Sequence, residues 1–181
     1  MYEVELKVRA AHDDVRDRLA ALGADHTASV RQVDTYYDAP HRDFAETDEA
    51  LRVRRETRDD DPRSETRITY KGPLVEAASK TREEFETAVD DGEAAADIFA
   101  GLGFDPAATV EKDRDFYAVD GYTVTLDSVE GLGEFVEVER ETDEADIEAV
   151  REGAVSVLAE LGLDADDQIR TSYLGLLLDE S

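Results

Sequence analysis

The stretch Tyr2-Glu-Val-Glu-Leu-Lys-Val-Arg9 decides the fold, because its residues alternate strictly between apolar and charged. In a β-strand, successive side chains point to opposite faces, so the apolar residues share one face and the charged residues share the other. The charged face carries two carboxylates, Glu3 and Glu5, followed by two cations, Lys7 and Arg9. Such a face lies either against solvent or against a ligand inside the fold.

Seven further segments have the composition of strands, and four have the periodicity of helices. The other predicted strands are Val30–Asp38, Ala50–Thr57, Glu65–Lys71, Arg82–Val89, Thr109–Val119, Tyr122–Val129 and Glu134–Glu141. The predicted helices are Asp13–Leu22, Glu93–Leu102, Glu144–Leu161 and roughly residues 172–178. Few connections are long enough for a helical crossover, so antiparallel pairing is expected. We therefore predict an α+β fold, an eight-stranded antiparallel β-barrel with helices packed outside, forming a single domain over residues 1–181.

The charge of the chain is its strongest compositional feature. Acidic residues outnumber basic ones 47 to 20, the net charge is −27, and only four of the basic residues are lysines. Such a surface is compatible with a cytosol of very high salt, because at about 1 M salt the Debye length is only about 3 Å. The composition resembles that of a halophilic archaeal cytoplasmic protein. An acidic partner-binding protein is the alternative, whereas the regular strands argue against a disordered acidic chain.

Other compositional features exclude several classes of partner. The acidic surface argues against binding to nucleic acid. No run approaches the roughly 20 apolar residues that a membrane span requires, and the sequence enters a strand without a leader. The chain has no cysteine, which excludes disulfides and thiolate metal sites. We therefore expect a cytoplasmic protein without a membrane partner.

The charged faces of the predicted strands form a set with an unusual balance of charge. Nine of the 20 basic residues of this acidic chain fall in that one set, so a solvated outer face is the less favoured alternative and the lumen of the barrel is the favoured location. The set comprises Glu3, Glu5, Lys7, Arg9, Arg52, Arg54, Arg67, Lys71, Arg82, Glu84, Glu86, Lys112, Arg114, Asp127, Glu137 and Glu139.

The chemistry of this set indicates a phosphate ligand and a divalent metal. Arginine forks and lysine ammonium groups suit phosphate oxygens. The interspersed carboxylates would repel phosphate unless a hard cation such as Mg²⁺ or Mn²⁺ bridges the two. Pairs two residues apart, Glu3 with Glu5 and Glu137 with Glu139, point to the same side and can share a metal. The residues therefore predict a metal-dependent site for a nucleotide or polyphosphate.

An ordered series of motifs resembles the CYTH superfamily, also called the triphosphate tunnel metalloenzymes. The first, Glu3-Val-Glu-Leu-Lys7, matches the Glu-x-Glu-x-Lys signature of that family. The others are Gln32-Val-Asp-Thr-Tyr-Tyr-Asp38, Glu49-Ala-Leu-Arg-Val-Arg54, Thr69-Tyr-Lys-Gly-Pro73, Lys80-Thr-Arg-Glu-Glu-Phe-Glu86, Glu111-Lys-Asp-Arg114 and Leu126-Asp-Ser-Val-Glu-Gly-Leu-Gly-Glu-Phe-Val-Glu-Val-Glu139. The branch that the chain resembles most is that of the class IV adenylyl cyclases, whose fold is an eight-stranded tunnel with charged walls.

The resemblance implies a role for each matched position. The implied triphosphate-binding residues are Lys7, Arg52, Arg54, Lys71, Lys112 and Arg114, with Arg82 on the same wall. The implied metal ligands are Glu3, Glu5, Asp127, Glu137 and Glu139, with Glu84 on the same wall. The implied cofactor is Mg²⁺ or Mn²⁺.

Two reactions suit such a tunnel. As an adenylate cyclase, a phosphorus–oxygen lyase, the protein would convert ATP to cyclic AMP and pyrophosphate. As a hydrolase it would act on inorganic or thiamine triphosphate, and a non-catalytic polyphosphate- or nucleotide-binding module is the third alternative. The sequence identifies no general base, since His12, His26 and His41 form no cluster and are expected at the surface. The apolar stripes of the last two helices are expected to pack on the barrel, with a homodimer interface as the alternative.

Overall fold

The chain folds as a closed barrel of eight antiparallel strands, which confirms the predicted fold class. The computed structural model describes residues 1–75 and 78–179. The strands are β1 (Tyr2–Arg9), β2 (Asp25–Asp38), β3 (Ala50–Arg58), β4 (Asp61–Lys71), β5 (Lys80–Val89), β6 (Asp105–Val119), β7 (Tyr122–Val129) and β8 (Gly133–Thr142). The helices are α1 (His12–Ala21), α2 (Phe44–Thr47), α3 (Gly92–Gly101), α4 (Ile147–Glu160) and α5 (Tyr173–Asp179), with 3₁₀ turns at Glu144–Asp146 and Ala165–Asp167.

The register of the barrel places the charged faces inside. The strands follow the order β1-β5-β4-β3-β2-β6-β7-β8, and β8 pairs back with β1. Residues directly opposite each other in an antiparallel pair project to the same face. The β1–β8 register sets Lys7 opposite Glu137 and Glu5 opposite Glu139. Glu3, Glu5 and Lys7, on the charged face of β1, line the lumen.

The apolar face of the same strands forms the main core outside the barrel. Val4 and Leu6 are fully buried there beneath α1 and α4. The Tyr122 hydroxyl donates a 2.8 Å hydrogen bond to the Val150 carbonyl oxygen, which fixes α4 on the barrel. Position 153 in α4 must be glycine, because a Cβ there would overlap the Tyr122 ring. Helices thus cover the wall formed by β1, β7 and β8.

A second apolar cluster closes one end of the lumen. Phe135 and Tyr173 meet there edge to face, with ring centroids 5.0 Å apart. Val110 and Val129 complete the buried part of this cluster, and the apolar side chains of α5 pack against it. The Ile169 amide donates a 2.7 Å hydrogen bond to the Lys7 carbonyl oxygen, which ties the C-terminal segment to β1.

The structure differs from the sequence-based boundaries mainly at polar strand starts. Strand β2 begins at Asp25 rather than at position 30, and β6 begins at Asp105 rather than at position 109. These extra residues are polar or small, yet those of β2 pair with residues 115–118 at the end of β6, and those of β6 pair with residues 36–38 at the end of β2. Backbone pairing, which polar composition does not reveal, therefore sets the strand ends. None of the helices that the structure describes is long and apolar enough to span a bilayer.

The prediction that all three histidines lie at the surface is wrong for His12. This side chain is 3% exposed at the start of α1. Its Nε2 lies 3.0 Å from the Phe135 carbonyl oxygen, and its Nδ1 lies 3.2 Å from Glu134. The imidazole therefore anchors α1 to β8, outside the lumen.

Candidate functional site

The lumen of the barrel is a charged cavity of about 290 Å³. Among the described residues, nine basic and ten acidic side chains line it. The basic ones are Lys7, Arg52, Arg54, Arg67, Lys71, Lys80, Arg82, Lys112 and Arg114. The acidic ones are Glu3, Glu5, Asp48, Glu49, Glu56, Glu84, Glu86, Glu137, Glu139 and Glu141. The basic and acidic side chains that line the cavity are therefore nearly equal in number, in a chain whose net charge is −27.

The structure brings together all seven residues predicted to bind triphosphate. Each lines the cavity and is buried, with exposed fractions between 3% for Lys7 and 9% for Lys71. Arg9, which shares the charged face of β1, lies outside the cavity. Its guanidinium stacks over the Phe135 ring at 4.7 Å and donates to the Leu132 carbonyl oxygen. The second apolar cluster, which contains Phe135, therefore separates Arg9 from the other cations.

A buried aspartate on β2 holds two of these cations in place. Asp34 is fully buried and accepts two hydrogen bonds from Arg54, of 2.7 and 2.8 Å. Lys112 lies 3.4 Å from the same carboxylate. Burial opposes ionisation of Asp34, but Lys112 and Arg54 outweigh it and lower its pKa. Asp34 is absent from the site predicted from the sequence, although alternation with Gln32 places it on the same face of β2.

Arg114 neutralises two of the predicted metal ligands. It donates to both oxygens of Asp127, at 2.6 and 3.2 Å, and to Glu137 at 2.7 Å. The Tyr173 hydroxyl donates a further 2.6 Å hydrogen bond to Asp127. Burial opposes ionisation of Glu137, yet Arg114 and Lys7 lower its pKa to about 2. In this arrangement Asp127, fully buried behind Arg114, and Glu137 serve as counter-ions, and their metal-binding role stays a prediction.

Three other predicted metal ligands converge. One carboxylate oxygen from each of Glu3, Glu5 and Glu139 lies within 4.8 Å of the others, and this trio is hereafter called the carboxylate trio. Burial raises the pKa of Glu3 although Lys71 opposes the shift, and the neighbouring Glu84 adds to it. Burial and then the charge of Glu3 raise the pKa of Glu139 well above its usual range. Crowded carboxylates that ionise with difficulty fit a hard divalent cation, which takes oxygen ligands.

The remaining predicted ligand, Glu84, lies beside the trio rather than in it. Its carboxylate is 3.5 Å from Lys71, which also donates a 2.8 Å hydrogen bond to Glu3. Nearby, the Nε of Arg52 is buried and makes no hydrogen bond within the described residues. Because an unpaired buried donor is costly, this atom suits a ligand oxygen in the lumen.

Two lysines of the lumen have lowered pKa values. Burial, reinforced by Arg114, lowers the pKa of Lys112 to about 7. Burial, reinforced by Arg82, lowers the pKa of Lys80 to about 8. The sequence-based site omitted Lys80, although it alternates with Arg82 on β5. An anionic ligand would return both lysines to the charged form.

Tyr173 joins the C-terminal segment to the cation cluster. The Lys7 ammonium lies 4.3 Å and the Lys112 ammonium 5.0 Å from the centre of its ring. Burial raises the pKa of the Tyr173 hydroxyl, and Glu137 and Asp127 add to that shift. Tyr173 has no predicted chemical role, because nothing in the sequence of an apolar C-terminal helix indicates that one ring reaches the lumen.

Known proteins resemble this chain along almost its entire length. A Methanocaldococcus jannaschii protein named as a candidate adenylate cyclase is 39% identical over 178 residues, covering 97% of this chain and 98% of the relative. The adenylate cyclase CyaB of Aeromonas hydrophila is 28% identical, covering 95% of this chain and 86% of the relative. A solved structure from Pyrococcus horikoshii superposes with a TM-score of 0.91 at 37% identity, covering 99% of both chains.

The family assignment follows from a model that matches most of the sequence. The CYTH domain model matches residues 1–173, from the start of β1 to the tyrosine that closes the lumen. The matched span contains every charged residue that lines the cavity. This chain therefore belongs to the CYTH family.

Proposed function

We propose that this protein is a metal-dependent enzyme acting on a nucleoside triphosphate, and that it converts ATP to cyclic AMP and pyrophosphate. The observation that carries the proposal is the lumen itself, where eight buried basic side chains and the carboxylate trio line one cavity. Enzymes of the CYTH family are metal-dependent and bind triphosphate substrates. The cyclase reaction is favoured by the names of the Methanocaldococcus and Aeromonas relatives.

The cations of the lumen would bind and orient the triphosphate. Arg54 is held rigidly by Asp34, and Arg114 is held by Asp127 and Glu137, so both guanidinium groups are preorganised. Preorganised donors stabilise developing charge without reorganising during the reaction. Lys7 makes no ion pair among the described residues, so its charge is available to phosphate oxygens.

The carboxylate trio would hold the divalent metal. Glu3, Glu5 and Glu139 supply the three oxygens, and Lys71 would have to release Glu3 or share it. When bound, Mg²⁺ or Mn²⁺ would neutralise charge on the phosphates and favour loss of the nucleophile's proton.

In the cyclase reaction, the ribose 3′-oxygen bonds to the α-phosphorus. The bond from that phosphorus to the bridging β-oxygen breaks, and pyrophosphate takes the electron pair. The hydroxyl proton passes to a base that stays unassigned. Phe116 and Tyr36, both lining the lumen, offer aromatic surfaces on which a nucleobase could stack.

A triphosphatase is the second candidate, and one observation favours it. Gln32 is the only side-chain amide lining the cavity in the described part of the chain, and both its ends are engaged. Its nitrogen donates to Glu56 at 2.7 Å, and its oxygen accepts from Arg114 at 3.4 Å. Among the described residues, no free side-chain amide is therefore available to hydrogen-bond with adenine. Inorganic triphosphate, by contrast, needs only the cations and the metal.

Product analysis distinguishes the candidates. The protein would be incubated in molar KCl with Mg²⁺ or Mn²⁺, and with ATP, inorganic triphosphate or thiamine triphosphate in separate reactions. Cyclic AMP with an equal amount of pyrophosphate is the expected result. Release of orthophosphate without cyclic nucleotide would replace the cyclase by a triphosphatase. Tight binding of intact triphosphate without turnover would indicate a non-catalytic binding module.

A further inference from the structure

The loop between β2 and β3 brings a further carboxylate to the lumen. Asp48 lines the cavity, although it is absent from the site predicted from the sequence. Its carboxylate lies 3.7 Å from Lys80 and 3.9 Å from Arg82, and it accepts no hydrogen bond from the described residues. The side chain is 41% exposed, so the carboxylate lies at the rim of the cavity. Asp48 is therefore an acid placed beside two lumen cations but tightly paired with neither.

The residue that follows Asp48 fixes this part of the loop. Glu49 is buried, and its carboxylate accepts hydrogen bonds of 2.6–2.7 Å from Tyr70, Arg42 and Thr47. These bonds join the loop to β4 and to the end of α2. The loop is thus held by its own contacts and does not depend on the Asp48 carboxylate for its position.

The backbone at Asp48 turns toward the lumen in the left-handed helical region, with φ of 57°. Its carbonyl oxygen accepts a 2.6 Å hydrogen bond from Arg82. After glycine, asparagine and aspartate are the residues that adopt this conformation most readily. Replacement by asparagine or glycine therefore removes the charge and is compatible with the same backbone.

The Asp48 carboxylate lies at the end of the lumen that the C-terminal segment closes. Lys80, which it approaches, also donates a 3.0 Å hydrogen bond to the Arg170 carbonyl oxygen. Three residues further on, Tyr173 belongs to the second apolar cluster, which closes the lumen. A phosphate chain that extends to this end would meet a negative charge of the protein, beside cations that already contact protein oxygens.

We propose that Asp48 is a specificity-determining residue that limits the length of the phosphate chain in the lumen, so that a triphosphate binds and a longer polyphosphate is disfavoured. This proposal rests on the proposed function, in which the lumen binds triphosphate. Cations alone attract the ligand with the most negative charge, and would therefore favour longer chains. A carboxylate at the closed end opposes that preference, because specificity is often set by repulsion of the wrong ligand.

Calorimetric titration in molar KCl, with Mg²⁺ and separately with a chelator, tests this proposal by comparing inorganic triphosphate with inorganic tetraphosphate. The wild type should bind tetraphosphate no more tightly than triphosphate, although tetraphosphate carries more charge. Asp48→Asn and Asp48→Gly should each tighten tetraphosphate binding about 5-fold and triphosphate binding less than about 2-fold, as expected for one half-exposed charge.

Glu46→Gln is the matched control, because it removes an exposed charge from α2, in the same loop, that does not line the cavity. It should change the affinity for neither ligand. Far-ultraviolet circular dichroism would show that each variant folds, and the two substitutions of Asp48 provide independent tests.

Two results would overturn this proposal alone. The first is a wild type that binds tetraphosphate more tightly than triphosphate. The second is equal tightening of both ligands in the Asp48 variants, which would show that Asp48 only neutralises Lys80 and Arg82. A wild type that binds no triphosphate, with Mg²⁺ or with the chelator, would instead refute the proposed function and this proposal with it.

Discussion

Two sets of carboxylates share the lumen, and they differ in what neutralises them. Glu137 and Glu139 are two residues apart on β8 and face the same cavity. Glu137 is bound to Arg114, and its pKa is lowered to about 2 although burial opposes this. Burial and the charge of Glu3 instead raise the pKa of Glu139. Identical side chains on one strand thus have opposite environments: Glu137 pairs with a cation of the protein, whereas we propose that Glu139 binds a cation from solution.

The largest effect that follows from this difference concerns turnover. Glu139→Gln should lower metal-dependent turnover of the triphosphate substrate by roughly 1,000-fold, because it removes one of the three proposed metal ligands. Turnover would be measured in molar KCl over a range of Mn²⁺ concentrations. Glu137→Gln is the matched comparison: it removes a partner of Arg114 rather than a proposed metal ligand, so excess Mn²⁺ should not reverse any loss of turnover that it causes. Turnover in Glu139→Gln at the wild-type level would refute the assignment of the trio.

Stability provides the second comparison between the two sets. Asp127→Asn should lower the free energy of unfolding by about 3 kcal/mol, because it leaves buried Arg114 with one carboxylate partner fewer. Glu139→Gln, in metal-free protein at neutral pH, should leave stability unchanged or raise it. Glu139 has a raised pKa when folded, so its ionisation lowers stability as pH rises above the unfolded pKa.

Denaturant titrations in molar KCl with a chelator would measure both variants. The distinction between the two sets would fail if Asp127→Asn were as stable as the wild type. It would also fail if Glu139→Gln were the less stable of the two.

The smallest expected effect is a proton uptake on ligand binding. Lys112, with a pKa of about 7, is mostly neutral at pH 8 in the free protein, and Lys80, with a pKa of about 8, is half charged. Bound triphosphate would raise both pKa values, so binding at pH 8 should take up about one proton or slightly more.

Calorimetry of inorganic triphosphate binding, in buffers with different ionisation enthalpies, would count these protons. Lys112→Arg should reduce the uptake by about one proton, because arginine stays charged at this pH. An uptake that does not change in Lys112→Arg would show that Lys112 is already protonated in the free protein.

The barrel could be predicted from the sequence because side chains alternate between the lumen and the outer face along every strand that lines it. Glu3, Glu5 and Lys7 share a face in the sequence and share the lumen in the structure. The same rule applied to β2 and β5 would have found Asp34 and Lys80. The early start of β2 at Asp25 could not be predicted, because its polar residues are strand only through pairing with β6.

Alternation also could not separate the two sets of carboxylates. It places Asp127, Glu137 and Glu139 on one interior face without showing which of them Arg114 contacts. That contact depends on the stagger of strands around a closed barrel, and on the Tyr173 hydroxyl reaching Asp127 from α5. Long-range geometry of this kind is absent from a local pattern of charges.

The most direct test of the account is Mn²⁺ binding without any substrate. Titration of chelator-treated protein in molar KCl, followed by electron paramagnetic resonance of free Mn²⁺, would be carried out on the wild type, Glu139→Gln and Glu137→Gln. We predict a site in the wild type that Glu139→Gln abolishes and that Glu137→Gln retains with similar affinity. Loss of Mn²⁺ binding in Glu137→Gln with retention in Glu139→Gln would contradict the account and place the metal on the carboxylate beside Arg114.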